Sequence, residues 1–489
     1  MNYTKRDRFI APILEWAKAN KEAEVLELGL LKSGKSALKG VEAPENKFVI
    51  PDEFNGKDYI SMLLHVDAEI EHGLMLQYLY AAYSIGNPDL SEKHQQTVST
   101  WKNIITGIAK EEMGHFISVQ NVLKVIGAPL NFGRESYPWD IPFYPFPFAL
   151  EKFSLNSLAK YVYAEAPQSW LDSDDPIAKE VITLVKASTS DPHTVGALFK
   201  ILLQLIQDPN VISDETFMAN TYPFQAKFDE WGRGYVGGQR GSAGAGVYGK
   251  SPDVLVAPLM CRDDAYNALN EIAEQGEGED VDTKTPSHFE RFLFIFKEYK
   301  LLLKETKGTF DPSRNVATNP YISSEADADT SSSSNEPALE LEADAITRPE
   351  TILWCKLADI RYRLLLNFLN HSFALDDGLN QSGAYTPRGM VINSTFGEMY
   401  NLRSLSTIVV QKPISEGSTI MAGPPFTAPY TFDLPIGELN RWKAHKDLII
   451  ASGKIIEDLK KYKKQADLQF LNALQETDQQ LLHSIENLQ

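Results

Sequence analysis

Apolar positions recur at helical spacing along most of this chain, and in four stretches the apolar stripe is interrupted by an acid or a histidine. From Trp101 to Leu123 the residues Trp101, Ile104, Ile105, Ile108, Glu112, His115, Val119 and Val122 share one face, while Lys102, Lys110 and Gln120 fall elsewhere. Ile60 to Tyr83 repeats the pattern, with Ile60, Leu64, Asp67, Glu71, Leu74, Tyr78 and Ala82 in line and Glu69 on the other side. In the third stretch Leu155, Leu158, Tyr161, Val162 and Glu165 form a stripe that Pro167 closes. The fourth, Leu269 to Tyr299, is broken by AEQGEGED. Beyond the break Ser287 is placed to cap a helix on which His288, Phe292, Ile295, Tyr299 and Leu302 share a face.

An inward carboxylate or imidazole is costly to bury unless it meets a metal, an opposite charge or a hydrogen-bond network. One Glu-x-x-His says little alone, because helices freely place polar residues three apart. The four stretches together say more. A Glu from each of two helices and a Glu plus a His from each of the other two is the ligand set of a carboxylate-bridged two-metal bundle. Four carboxylates nearly neutralise two divalent ions, and one imidazole per ion leaves positions open for water or oxygen. On this reading Glu71 and Glu165 are the single acids, Glu112 and His115 form one pair, and His288 with Glu277 or Glu274 forms the other. No Glu stands three residues before His288, so the excursion through Gly276, Gly278 and Asp280 must bring the acid in. Glu277, between two glycines that permit the bend, is favoured over Glu274. Tyr78 is the candidate catalytic side chain, able to donate to a ligand carboxylate or to supply an electron, although a buried Tyr also serves as plain core. His72 points off the stripe to a supporting or surface position, and His65 and His371 read as structural.

The chain also resembles a known family, the ferritin-like domain of the violacein- and rebeccamycin-type imine-dimer synthases, including iminophenyl-pyruvate dimer synthase-like proteins. The resemblance lies in IEHGLMLQYLYAAYSI (70 to 85), IAKEEMGHFISVQNVLKVIGAPL (108 to 130), YPWDIPFYPFPFAL (137 to 150), AEAP (164 to 167), VGALFKIL (195 to 202), EQGEG (274 to 278) and SHFERF (287 to 292). It covers about residues 55 to 300. It implies an all-α, ferritin-like four-helix bundle with a non-haem di-iron site carried by Glu71, Glu112, His115, Glu165, Glu277 and His288. Where the family has Pro-Pro this chain has Leu76 and Gln77, and Gly114 stands in the second-helix motif, where it is expected to leave extra space beside the site.

Other segments fill out the organisation. Residues 1 to 54 read as an amino-terminal amphipathic helix and connector, and 55 to 310 as the metal-binding bundle. The run 137 to 150, with four prolines and six aromatics, is an ordered loop, either a pocket wall or lid or a hydrophobic brace. The Gly-rich stretch 230 to 248 lacks the strand and Gly-Lys-Ser ending of a phosphate loop and reads as a mobile loop. Residues 311 to 348, rich in Ser and acids, read as a disordered linker of which 313 to 345 should be dispensable. Beyond it, 349 to 489 form a second helical region, with helices over 352 to 375, 396 to 410 and 439 to 465 joined through MAGPPFTAPYTFDLP (421 to 435).

Composition narrows the function. The 489 residues are 43% hydrophobic, enough for two or three domains, and 47 Lys and Arg against 66 Asp and Glu give a net charge of -19. That balance disfavours nucleic acid and anionic membranes as partners. No segment reads as a signal peptide or a membrane span, and Cys261 and Cys355 fit no metal or redox motif, so both read as reduced core residues of a cytoplasmic protein. The expected activity is that of a di-iron oxidase or oxygenase using O2 on a small organic substrate in secondary metabolism, in a chain that could form a homo-oligomer. Two rival readings are a manganese enzyme that disproportionates peroxide, because Glu and His ligands do not choose between iron and manganese, and a non-catalytic scaffold whose Glu-His network is structural.

Overall fold

The computed structural model describes residues 7–13, 15–16, 48–139, 144, 146–186, 196–231, 254–277, 286–323, 343–376, 386–429, 432–462 and 464–487. Among the described residues the chain is all-α apart from one pair of two-residue strands. Helices α1 (Gly56–Ser84) and α2 (Glu92–Val125) pack along each other, capped by Asn55 and Ser91, whose side chains accept from the backbone N–H of Asp58 and His94. The polar start of α2, residues 92 to 97, carries no apolar stripe, and for that reason this helix begins well before the periodic stretch at Trp101.

Four further helices complete the bundle: α3 (Leu155–Ala164), α4 (Pro176–Lys186), α5 (Gly196–Gln207) and α6 (Arg262–Glu277). Then comes α7 (His288–Glu305), which opens with the expected Ser287 cap as a reciprocal box: Ser287 accepts from Glu290 N–H and Glu290 accepts from Ser287 N–H. Helix α3 packs on α7 and α4, α5 packs on α6 and α1, and α6 and α7 both touch α2. Glu165 lies just past the last turn of α3, at its cap.

The linker expected over 311 to 348 is narrower than that. Its two ends form the parallel pair β1 (Tyr321–Ile322) and β2 (Ala345–Ile346), and Ser313, Val316, Ala317 and Asn319 are buried. Asn319 accepts from Leu150 N–H and Tyr80 donates to the Ala317 carbonyl, so removing 313 to 345 would cut into the core. The acidic run 324 to 342 itself lies outside the described residues.

The second helical region comprises α8 (Pro349–Ser372), α9 (Pro387–Val409), α10 (Glu438–Lys460) and α11 (Gln465–Glu486), the last beyond the expected elements. It does not stand apart from the bundle: Tyr362, Leu366 and Leu369 of α8 and Phe373 at its cap share one continuous apolar core with α1 and α2. This second layer covers the far face of α1. His72 is fully buried against Tyr362, whose hydroxyl lies 2.7 Å from its Nε2, and Glu69, expected on a polar outer side, is buried beside Asn131, which donates to it.

The Pro-rich run acts as a brace. Trp139 and Phe148 exchange backbone hydrogen bonds, and their rings stack 4.2 Å apart directly over Gly73 of α1. Gln77 fastens the run from the same helix, donating to the Tyr144 hydroxyl and accepting from Ala149 N–H. Most of the Gly-rich stretch lies outside the described residues, as does most of the amino-terminal helix. Cys355 is buried, but Cys261 is exposed and not a core residue. Among the described residues no helix is long and apolar enough to cross a membrane.

Candidate metal centre

Five of the six expected ligands meet at the centre of the bundle. The ligand atoms of Glu71, Glu112 and His115 lie within 4.8 Å of one another, as do those of Glu112, Glu165 and His288, and every one of these residues is buried. The two triads share Glu112. Its Oε2 lies 2.9 Å from Nδ1 of His115, and its Oε1 lies 2.9 Å from Nδ1 of His288. Glu71 closes the first triad, with Oε2 3.4 Å from Nδ1 of His115. Glu165 closes the second, with Oε2 3.7 Å from Nδ1 of His288. A cavity opens beside the cluster, lined by Leu74, Ala164, Phe199, Ile272, Ala273 and Gly276 as well as the five polar residues. No described residue of the 137 to 150 run lines it; the described ones brace α1 instead.

The donor set suits cations. Glu71 Oε2, Glu112 Oε1 and His288 Nδ1 are buried and form no hydrogen bond of good geometry, meeting the facing imidazoles and carboxylates only as close ion pairs. Such groups are costly to desolvate unless something positive sits between them. In the absence of an ion, protons do that work. Burial pushes His115 down, but Glu71 and Glu112 outweigh it and raise its pKa to about 10. His288 is raised in the same way, chiefly by Glu112, and together the two imidazoles hold Glu112 well below the usual carboxylate range despite its burial. Burial raises Glu71 well above that range.

Tyr78 donates a hydrogen bond to Oε1 of Glu165, leaving Oε2 for the cluster. This is the first of the two roles expected of it. Of the two acids proposed to accompany His288, Glu274 is exposed and bonded to Asn270, so it takes no part in the cluster. Glu277 is the last residue of α6, and its side chain lies outside the described residues. Gly114 does not leave space beside the site: a Cβ there would lie 2.9 Å from Val254, so the glycine admits the 254 to 256 segment against α2. His65 bonds the Pro129 carbonyl and His371 bonds His445 and Glu438, in keeping with structural roles.

Three further side chains join the site, Glu111 and Gln275 from off the stripes and Asp67 from the stripe itself, none of them expected as a participant. Glu111, next to Glu112, accepts from His288 Nε2 and from Arg291. Gln275 of α6 meets Nε2 of His115 at 2.7 Å. Asp67, one turn before Glu71, is fully buried with neither oxygen hydrogen-bonded, and burial raises its pKa to about 7. The readable signal for Glu111 was Arg291, three residues after His288 on an apolar helix, since a buried guanidinium requires a counter-charge.

Residues 64–297 match the family model described as Ferritin-like. This stretch is a ferritin-like domain. Its relatives include dichlorochromopyrrolate synthase of Lentzea aerocolonigenes, 26% identical over 304 residues that span 54% of this chain and 27% of that protein. A second is 2-imino-3-(indol-3-yl)propanoate dimerase of Chromobacterium violaceum, 30% identical over 146 residues spanning 24% of this chain and 14% of that protein. The chain spans well under a third of either relative's length. A solved ferritin like protein from Caulobacter vibrioides aligns over 71% of this chain and 94% of its own, at 14% identity and a TM-score of 0.38.

Proposed function

We propose that this chain is a non-haem two-metal oxidase or oxygenase, in which Glu71, Glu112, His115, Glu165 and His288 hold two divalent ions, with Glu112 between them and iron as the metal. The observation that carries the reading is the pair of triads sharing Glu112, with buried inward atoms that no hydrogen bond satisfies. Glu277 is proposed as a sixth ligand because it stands one helical turn after Ala273, which lines the cavity. When bound, such an ion pair supplies the electrons that reduce O2, a task beyond any side chain.

The chain's own residues supply the rest. Both imidazoles present Nδ1 to the centre and are held from behind at Nε2, which fixes the tautomer each would need as a ligand. Tyr78 keeps a proton at the outer oxygen of Glu165, which itself lines the cavity. Leu74, Phe199 and Ile272 make the cavity apolar and limit water around the reacting centre. The names of the relatives support a small aromatic imine as the substrate class and natural-product biosynthesis as the setting.

The test is metal analysis of the chain purified after iron- or manganese-supplemented expression, followed by O2 consumption with imines of aromatic 2-oxo acids. Two ions per chain and imine-dependent O2 uptake are expected. Peroxide disproportionation by the manganese form, without O2 uptake, would replace the reading with the manganese one. A chain that takes less than about a tenth of an ion would favour the scaffold reading, in which the buried network serves specificity alone.

A further inference from the structure

The two imidazoles of the centre are held from behind by unlike partners. Nε2 of His288 lies 3.0 Å from Oε2 of Glu111, and Arg291 donates to that same oxygen. All three side chains are buried, and Arg291 also donates from Nε to the Ser287 carbonyl, so the clamp is tied to the first turn of α7. Burial would raise Glu111, but Arg291 and His288 outweigh it and keep the carboxylate charged. Nε2 of His115 instead meets Oε1 of Gln275, a neutral amide on α6.

We propose that Glu111, clamped by Arg291, is a positioning residue that locks His288 onto the centre, making the two metal subsites unequal. The Glu112–Glu165–His288 subsite retains its ion, and the Glu71–Glu112–His115 subsite is the one that exchanges. The proposal rests on the two-metal reading above. A hydrogen bond from an imidazole to a charged carboxylate is roughly twice as strong as one to a neutral acceptor. It fixes the ring and raises the basicity of the nitrogen opposite, whereas an amide does both more weakly. Asp67 brings negative charge to the His115 side, but neither of its oxygens has a hydrogen-bond partner, so it does not orient that ring. The clamp is also more deeply set: His288 and Glu111 are 0% exposed, and Glu111 comes from the same turn of α2 as the shared Glu112.

The test titrates the metal-free full chain with manganese(II), reading bound ion by equilibrium dialysis and its environment by electron paramagnetic resonance. The unsubstituted chain should fill in two steps, first with the signal of an isolated ion and then with that of a coupled pair. Glu111→Gln should weaken the first step by roughly 10–100-fold, while Gln275→Leu should weaken only the second. Because Glu111→Gln leaves Arg291 without its counter-charge, the double variant Glu111→Gln/Arg291→Met is made alongside it. The double variant should show the same weakened first step with unchanged helicity, and it decides the matter where the single variant does not fold. Two steps of equal affinity, or a first step weakened by Gln275→Leu but not by the Glu111 variants, overturn the ordering alone. A chain that takes no ion overturns the two-metal reading and this ordering with it.

Discussion

Oε1 of Glu112 lies 2.9 Å from Nδ1 of His288, although the two residues belong to helices that the chain forms far apart in sequence. That closeness makes Glu112 the residue on which both triads depend. Glu112→Gln keeps the shape but removes the charge that both imidazoles face. Metal content should fall from two ions per chain to below about one, a larger loss than from Glu71→Gln or Glu165→Gln, each of which touches a single triad; buried charges stripped of a partner cost roughly 3–5 kcal/mol. Atomic absorption on the three variants checks this, and equal losses in all three would refute the shared role.

The metal-free centre should make stability depend on pH. Glu71 and Glu112 overcome the burial of His115 and raise its pKa to about 10, against about 6.5 in an unfolded chain. The stabilisation from that proton is fully present below about pH 6.5 and is lost as pH rises through about 10. Asp67, raised by burial to about 7, acts in the same direction over a lower window, from its usual value of about 3.9 upward. Since an ion at Nδ1 displaces the proton, metal affinity should rise with pH over the same range. Thermal melts of chelator-treated protein at pH 6.5, 8 and 10 should show a falling Tm that metal-loaded protein does not share. A flat profile for the metal-free form would show that the imidazoles are not held protonated.

The parts of the site that were legible in the sequence are those that sit on an apolar stripe. Glu71, Glu112, His115, Glu165 and His288 each break a helical run of buried residues, and each does reach the cluster. Glu111 was not legible because it stands about 100° round the helix from Glu112, on a face that only the arrival of α7 makes internal. Gln275 carries no charge to mark it. His72 and Glu69 looked peripheral because periodicity records one buried face, whereas Tyr362 of α8 covers His72 and Asn131 covers Glu69. The linker boundaries failed for a related reason: Ser313, Asn319 and Asp344 look like tether residues, but they bond the Phe153 carbonyl, Leu150 N–H and Thr318 N–H respectively.

Gly73 should reverse the usual effect of adding a methyl group to a helix. Replacing an interior helical glycine by alanine normally stabilises by about 0.5–1 kcal/mol. Here a Cβ would lie 2.7 Å from the Phe148 ring and 2.8 Å from Trp139. Those rings are stacked and tied by backbone hydrogen bonds, so they cannot easily withdraw. Overpacking of this kind costs about 1–3 kcal/mol, so Gly73→Ala should lower stability in urea unfolding. A more stable variant would show that the brace yields.

The acidic run between the paired strands should be replaceable, but its flanks should not. Residues 324 to 342 hold six acids, five serines and no basic residue, so the sequence offers little apolar surface to bury. Tyr321 pairs with Ala345 and Ile322 with Ile346 in parallel, so a connection need only return along a two-residue strand. At roughly 3.3–3.6 Å per extended residue, about eight Gly and Ser residues would suffice. Exchanging 324 to 342 for such a segment should leave Tm and metal content unchanged. Removing 313 to 345 should instead unfold or empty the protein, because it deletes the Asn319 side chain bonded to Leu150 and the Ala317 carbonyl that Tyr80 reaches. Tyr80 is two residues from Tyr78, on the helix that carries Glu71, so that contact connects the strand pair to the site. Circular dichroism and metal analysis of the two deletions decide the matter. A large loss from the shorter exchange would show that the acidic run packs on the protein after all.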